Sequence, residues 1–134
     1  LDLRDHLRDH FSIDPKRVLI TGYSMGGVGT WHMARQFPDQ FSAGLVMAAY
    51  PPENAMEVER EFPLYVIHSR EDELFPIVET TRFVVALGER GADINYRILE
   101  KATHFETHQF RYPLEEAVPW VLDQWEKRMA GEPN

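Results

Sequence analysis

At 134 residues, 43% of them hydrophobic and 27% charged, the chain has the length and balance of one globular domain with a core of its own. Its net charge of −8 argues against a nucleic-acid partner, and no apolar run approaches the roughly 20 residues of a membrane-spanning helix. The absence of cysteine excludes disulfides, a thiolate nucleophile and a cysteine-based zinc site; it suits a reducing cytosol without defining the compartment.

The opening LDLRDHLRDHF is charged and amphipathic, which is unlike a secretory signal. Its apolar residues Leu1, Leu3, Leu7 and Phe11 fit one face of a helix, and Pro15 stops that helix. RVLITGY then reads as a buried strand, because its apolar run is nearly continuous. GGVGTWHMARQFP reads as a helix ended near Pro38, and FSAGLVMAAY as a second buried strand stopped by Pro51 and Pro52. After a polar link comes a third strand, PLYVIHS, and then PIVETTRFVVALGERG, a helix opened by Pro76 and closed by Gly91. INYRILE is a fourth strand, and PLEEAVPWVLDQWEKRMAG a closing helix with Pro119 as a kink point. Strands alternating with helices predict an α/β fold: a mostly parallel sheet with helices on both faces and ligands bound beyond the carboxyl ends of the strands.

The sharpest local signal is Gly22-Tyr23-Ser24-Met25-Gly26, where a strand passes directly into a helix. A turn this tight strains its central residue and needs small neighbours, a need assigned here to Gly22 and Gly26. It lifts the Ser24 hydroxyl above the sheet and aims the Met25 N–H at an anion forming beside it. This is the physical content of the G-x-S-x-G nucleophile elbow. The plain alternative is a glycine-rich turn that lets helix and strand pack closely. A serine nucleophile needs a base and the base an orienting acid. Glu71, Asp72 and Glu73 follow the third strand, and His104 and His108 follow the fourth.

In that serine–acid–histidine order the chain resembles the C-terminal half of an α/β-hydrolase. It is most similar to serine esterases and predicted peptidases related to feruloyl esterases and polyester depolymerases. The stretch from Ile13 to Ala49 carries the likeness, together with the acid loop Ser69-Arg70-Glu71-Asp72-Glu73-Leu74-Phe75-Pro76. The resemblance selects Asp72 from the three carboxylates and His104 as the base. Ser69 and Thr103 depart from it, standing where the family commonly has glycine. It implies hydrolysis of carboxylic esters through an acyl-serine on Ser24, with no cofactor. The short link between the second and third strands has no room for a large lid, which predicts an open site that takes small or polymer-attached esters, and neither a metal nor a membrane is expected. Thioester or peptide substrates use the same residues.

The resemblance also implies that residues 1–134 form one domain matching the last four strands of an eight-stranded sheet. The elbow strand is then left with an open apolar edge, which invites pairing. Either a preceding half is supplied separately, or two copies pair through that edge as a homo-oligomer. A rival to the enzyme is therefore a catalytically silent half that serves as an assembly module. His104 and His108, four apart, raise a metal site, but HFETH is not the H-E-x-x-H of metalloproteases. His108 is the reserve base. His68 and His32 read as structural, Trp31, Trp120 and Trp125 as packing residues, and Tyr50, Pro51 and Pro52 as one wall of the site's mouth.

Overall fold

The structure, a computed structural model, describes residues 2–131. In chain order it contains α1 (Asp2–His10), β1 (Leu19–Tyr23), α2 (Met25–Gln36), β2 (Ala43–Met47), β3 (Leu64–Ser69), α3 (Ile77–Glu89), β4 (Ile94–Leu99) and α4 (Arg111–Ala130). Short 3-10 turns lie at Pro38–Gln40, Ala55–Glu57 and Thr107–Phe110. The strands form one four-stranded parallel sheet in the order β1-β2-β3-β4.

Alternation along the strands divides the core in two. Val46, Leu64 and Val66 face one way and pack with Trp31 and Ala34 of α2 and Val84 and Leu87 of α3. Leu45, Met47 and Ile67 face the other way, against Phe110 of the last 3-10 turn and Ala117 of α4. Helices therefore cover both faces, as the alternating pattern predicts. The central strand β2 is buried at every position, whereas β1 and β4 are mostly half-buried. β1, read from its nearly continuous apolar run as a buried strand and from the resemblance as having an open edge, pairs with β2 alone among the described residues, and its positions are half-buried or exposed.

α1 forms as its periodicity predicts, yet none of its residues is buried, and Leu3 and Phe11 are exposed. Leu1, part of the same apolar stripe, lies outside the described residues. α3 follows Pro76 and is closed by Gly91 at φ 80°, the proline-first, glycine-last asymmetry its sequence carries. α4 runs through Pro119, which has no N–H to offer the preceding turn, and ends at Gly131 in the left-handed conformation. The tryptophans pack as expected: Trp31 is in the core, Trp120 lies 5.2 Å from the Tyr65 ring, and Trp125 donates its indole N–H to Ser42 Oγ at 2.8 Å.

Candidate active site

β1, β3 and β4 run in one direction, so the residues that follow them emerge at the same sheet edge. Ser24 follows β1, Asp72 follows β3, and His104 follows β4. The topology thus brings together three residues that the chain keeps far apart.

Ser24 stands at φ 55°, ψ −122°, in the sparsely populated region that a strand-to-helix elbow demands. Its N–H donates to the Met47 carbonyl at 3.0 Å, and its own carbonyl accepts the Val28 N–H at 3.1 Å. The hydroxyl takes no part in capping α2, although Ser24 occupies the cap position. It is left for other work.

The crowding that makes glycine necessary differs in one position from the sequence expectation. A Cβ on Gly22 would stand 2.0 Å from the Gly26 carbonyl oxygen, so Gly22 is required as predicted. A Cβ on Gly26 would meet nothing within 4 Å, because Gly26 contributes its backbone rather than a cramped side-chain position. The second crowded glycine is Gly27, whose Cβ would come within 2.6 Å of Ala49 Cβ and 2.9 Å of the Met47 carbonyl oxygen. Gly27 is where α2 presses on the end of β2. The period of the helix carries no sign of that contact.

The acid loop is organised by Asp72 itself. Its Oδ1 accepts the N–H groups of Leu74 at 3.0 Å and Phe75 at 2.7 Å, a side-chain-closed turn. His104 Nδ1–H donates to the same carboxylate, 3.0 Å from Oδ2 and 3.1 Å from Oδ1. The Ser24 hydroxyl donates to His104 Nε2 at 2.8 Å. Asp72 and His104 are each only 4% exposed, so this relay runs through protein rather than solvent. Both ring nitrogens of His104 are engaged, which leaves neither for a metal ion, and His108 is an exposed residue of the neighbouring 3-10 turn. Glu71 is exposed and apart from the relay in chemistry, its N–H donating to Ser69 Oγ at 3.2 Å.

Four neighbours of the relay were not legible as site residues. The Tyr23 hydroxyl donates to the His104 carbonyl, while the His104 N–H donates to Glu73 Oε2 at 2.7 Å. The backbone of the histidine loop is therefore gripped from both sides. Burial pushes the Tyr23 phenol above its ordinary range, assisted by the charges of Asp72 and Glu73, so it stays a donor at neutral pH. Ser69, at a position where the sequence resemblance implied glycine, is buried and accepts the Ala102 N–H at 3.1 Å as well as that of Glu71. Its hydroxyl ties the acid loop to the histidine loop. His68, expected to be a packed strand residue, is fully buried and reaches the acid loop directly. The signals were slight: Ser69 stood out as a departure, and His68 as a polar residue in an apolar strand.

Around the relay lies an apolar rim. The Phe75 ring is 5.3 Å from the His104 ring, and Tyr50 packs edge-on against Phe75 at 4.8 Å, which puts Tyr50 one layer out from the imidazole. Phe105 meets the His104 ring edge-on at 5.5 Å, and the Met25 side chain, beside Ser24, is 83% exposed. His32, expected to be structural, is exposed on α2.

A parallel sheet with helices on both faces and a serine elbow at its carboxyl edge is a partial α/β-hydrolase fold. Residues 1–120 match the model of the dienelactone hydrolase family, and the chain belongs to that family. It is 29% identical to a thermostable esterase of known structure, with a TM-score of 0.78 over 91% of this chain and 35% of that one. It is 26% identical over 80 residues to the bifunctional acetylxylan esterase/xylanase XynS20E of Neocallimastix patriciarum, covering 60% of this chain and 12% of that protein. It is also 26% identical over 91 residues to a putative carboxymethylenebutenolidase of Aquifex aeolicus, covering 67% of this chain and 39% of that protein. The chain thus spans less than half the length of each of these relatives.

Proposed function

We propose that this chain carries the catalytic residues of a serine hydrolase acting on carboxylic esters. The observation that supports this reading is the continuous hydrogen-bonded relay from Ser24 Oγ through both nitrogens of His104 to Asp72. The esterases among the similar proteins support the choice of ester. As the Ser24 oxygen attacks the ester carbonyl carbon, His104 Nε2 takes its proton. Asp72 holds the ring with Nδ1 protonated and stabilises the imidazolium. His104 then protonates the alkoxide, the alcohol leaves, and the acyl group remains on Ser24. Water, deprotonated by the same Nε2, attacks the acyl-serine and releases the acid and the free hydroxyl. Met25, the first residue of α2, has an N–H without an intrahelical acceptor. Directed at the carbonyl oxygen, it supplies one oxyanion donor, worth about 3 kcal/mol in comparable sites. The exposed apolar side chains around the relay suit a small or polymer-attached ester more than a highly charged one.

The test is intact-mass analysis after a fluorophosphonate probe, alongside hydrolysis of a short-chain activated ester. Wild type is expected to label and turn over, and Ser24→Ala and His104→Ala to do neither. A folded wild type that stays unlabelled overturns the reading in favour of a silent assembly module, for which the half-buried edge strand β1 speaks.

A further inference from the structure

The relay does not end at Asp72. His68, on β3, is fully buried, and its Nε2 lies 2.7 Å from the Phe75 carbonyl oxygen and 3.4 Å from Asp72 Oδ2. A carbonyl oxygen can only accept, so Nε2 must carry a proton. Its other nitrogen, Nδ1, is buried without a hydrogen-bond partner. A proton there would create a buried cation with an unanswered donor, so the ring is neutral with its hydrogen on Nε2. Burial pushes the imidazole below its ordinary range, which agrees with that tautomer, although the nearby Asp72 charge opposes the shift.

An apolar side chain would fill this strand position without leaving an orphaned nitrogen. The histidine therefore contributes something through its N–H. That N–H donates to the carbonyl of Phe75, whose own N–H holds Asp72 Oδ1, and Asp72 Oδ2 stands 3.4 Å from the same nitrogen. Oδ1 already has two backbone donors from its own loop, whereas Oδ2 has His104 on one side and His68 on the other.

We propose that His68 is a positioning residue whose Nε2–H holds the Phe75 carbonyl, and through it the acid turn that presents the Asp72 carboxylate to the His104 Nδ1–H. The proposal rests on the serine-hydrolase reading. The charged and titratable groups facing His104 are Asp72, Glu73, Tyr23, Ser24 and, behind the carboxylate, His68. Removing the His68 donor loosens the acid turn and lets the carboxylate shift, so the imidazolium that forms during acyl transfer loses support.

The experiment compares wild type, His68→Met, His68→Gln and Ser24→Ala in the hydrolysis of 4-nitrophenyl acetate across pH. Rates of wild type and the His68 variants are expressed per fluorophosphonate-titrated site, so that loss of folded protein does not register, and that of Ser24→Ala per mole of folded protein. His68→Met is expected to lower kcat about tenfold, or ~1.4 kcal/mol in the barrier, with KM unchanged and the acid limb of kcat/KM moved to lower pH. His68→Gln, whose amide carries an N–H to nearly the same place, is expected to recover most of the loss. His68→Asn, with an amide too short to reach, serves as the donor-less comparison if the Met variant does not fold. A donor-less variant with wild-type kcat and an unmoved acid limb per titrated site, beside an inactive Ser24→Ala, overturns the role of His68 alone. A Ser24→Ala variant that still turns over at the wild-type rate overturns the serine-hydrolase reading, and this proposal with it.

Discussion

Ser24 holds a positive φ at a strain of about 1–3 kcal/mol, which the surrounding elbow must offset. Its neighbours show how. The Met47 carbonyl fixes its N–H, α2 takes its carbonyl, and the hydroxyl is left to His104. The same economy recurs at His104, whose backbone is pinned by Tyr23 and Glu73 while its ring is pinned by Ser24 and Asp72. His68 gives this scale its pH dependence. Its folded pKa lies below the ordinary 6.5, so above that value it is neutral both folded and unfolded and contributes no slope. Below it the unfolded chain takes up a proton that the fold refuses. Stability is therefore lost as pH falls from 6.5 toward the lowered folded value, by at most about 1.4 kcal/mol per pH unit from one group. The melting temperature of wild type is expected to drop more steeply between pH 7 and pH 5 than that of His68→Gln, measured by circular dichroism. Parallel curves would show that His68 titrates normally in the fold.

At the scale of elements, the strand-to-helix junction makes a sharp distinction among its three glycines, Gly22, Gly26 and Gly27. Gly22→Ala and Gly27→Ala force contacts of 2.0 Å and 2.6 Å and are expected to destabilise by about 3 kcal/mol or more. Gly26→Ala meets nothing, and in the first turn of α2 it replaces a poor helix former, so stability should hold or rise by up to about 1 kcal/mol. Urea denaturation of the three variants measures the order. Equal losses at all three would mean that the elbow is tight throughout, as the motif read in isolation suggests. The G-x-S-x-G spelling was legible, and with it the strand, the helix and the strained serine. Gly27 was not, because its partner Ala49 lies beyond the next strand, and only the packing of α2 on β2 brings the two together.

At the scale of the molecule, β1 is the edge of the sheet among the described residues, and apolar surface lies beside it. A groove of about 370 Å³ is lined by Leu19 and Leu45 of the sheet and by Val121, Leu122 and Trp125 of α4. Val118 and Leu122 are large apolar side chains left exposed on that helix. An edge strand beside such a groove is a template for pairing, and we propose that two copies meet there through β1. Light scattering at micromolar concentration is expected to give the mass of two chains, with Leu122→Glu returning that of one. A single-chain mass for wild type would overturn the pairing.

The sequence by itself determined the elements and their order, because apolar periodicity and the proline and glycine boundaries act within a few residues of chain. It also determined the strained strand-to-helix turn at Ser24, since that strain is a property of adjacent residues. The alternation of strands and helices implied parallel pairing, and with it the placement of three loops at one edge. What only the tertiary structure decided are the contacts across those loops: Glu73 on the His104 backbone, Ser69 between the acid and histidine loops, and His68 behind Asp72. Each joins segments with no regular spacing between them. Hydrogen bonds formed across a fold leave no period in the chain that makes them.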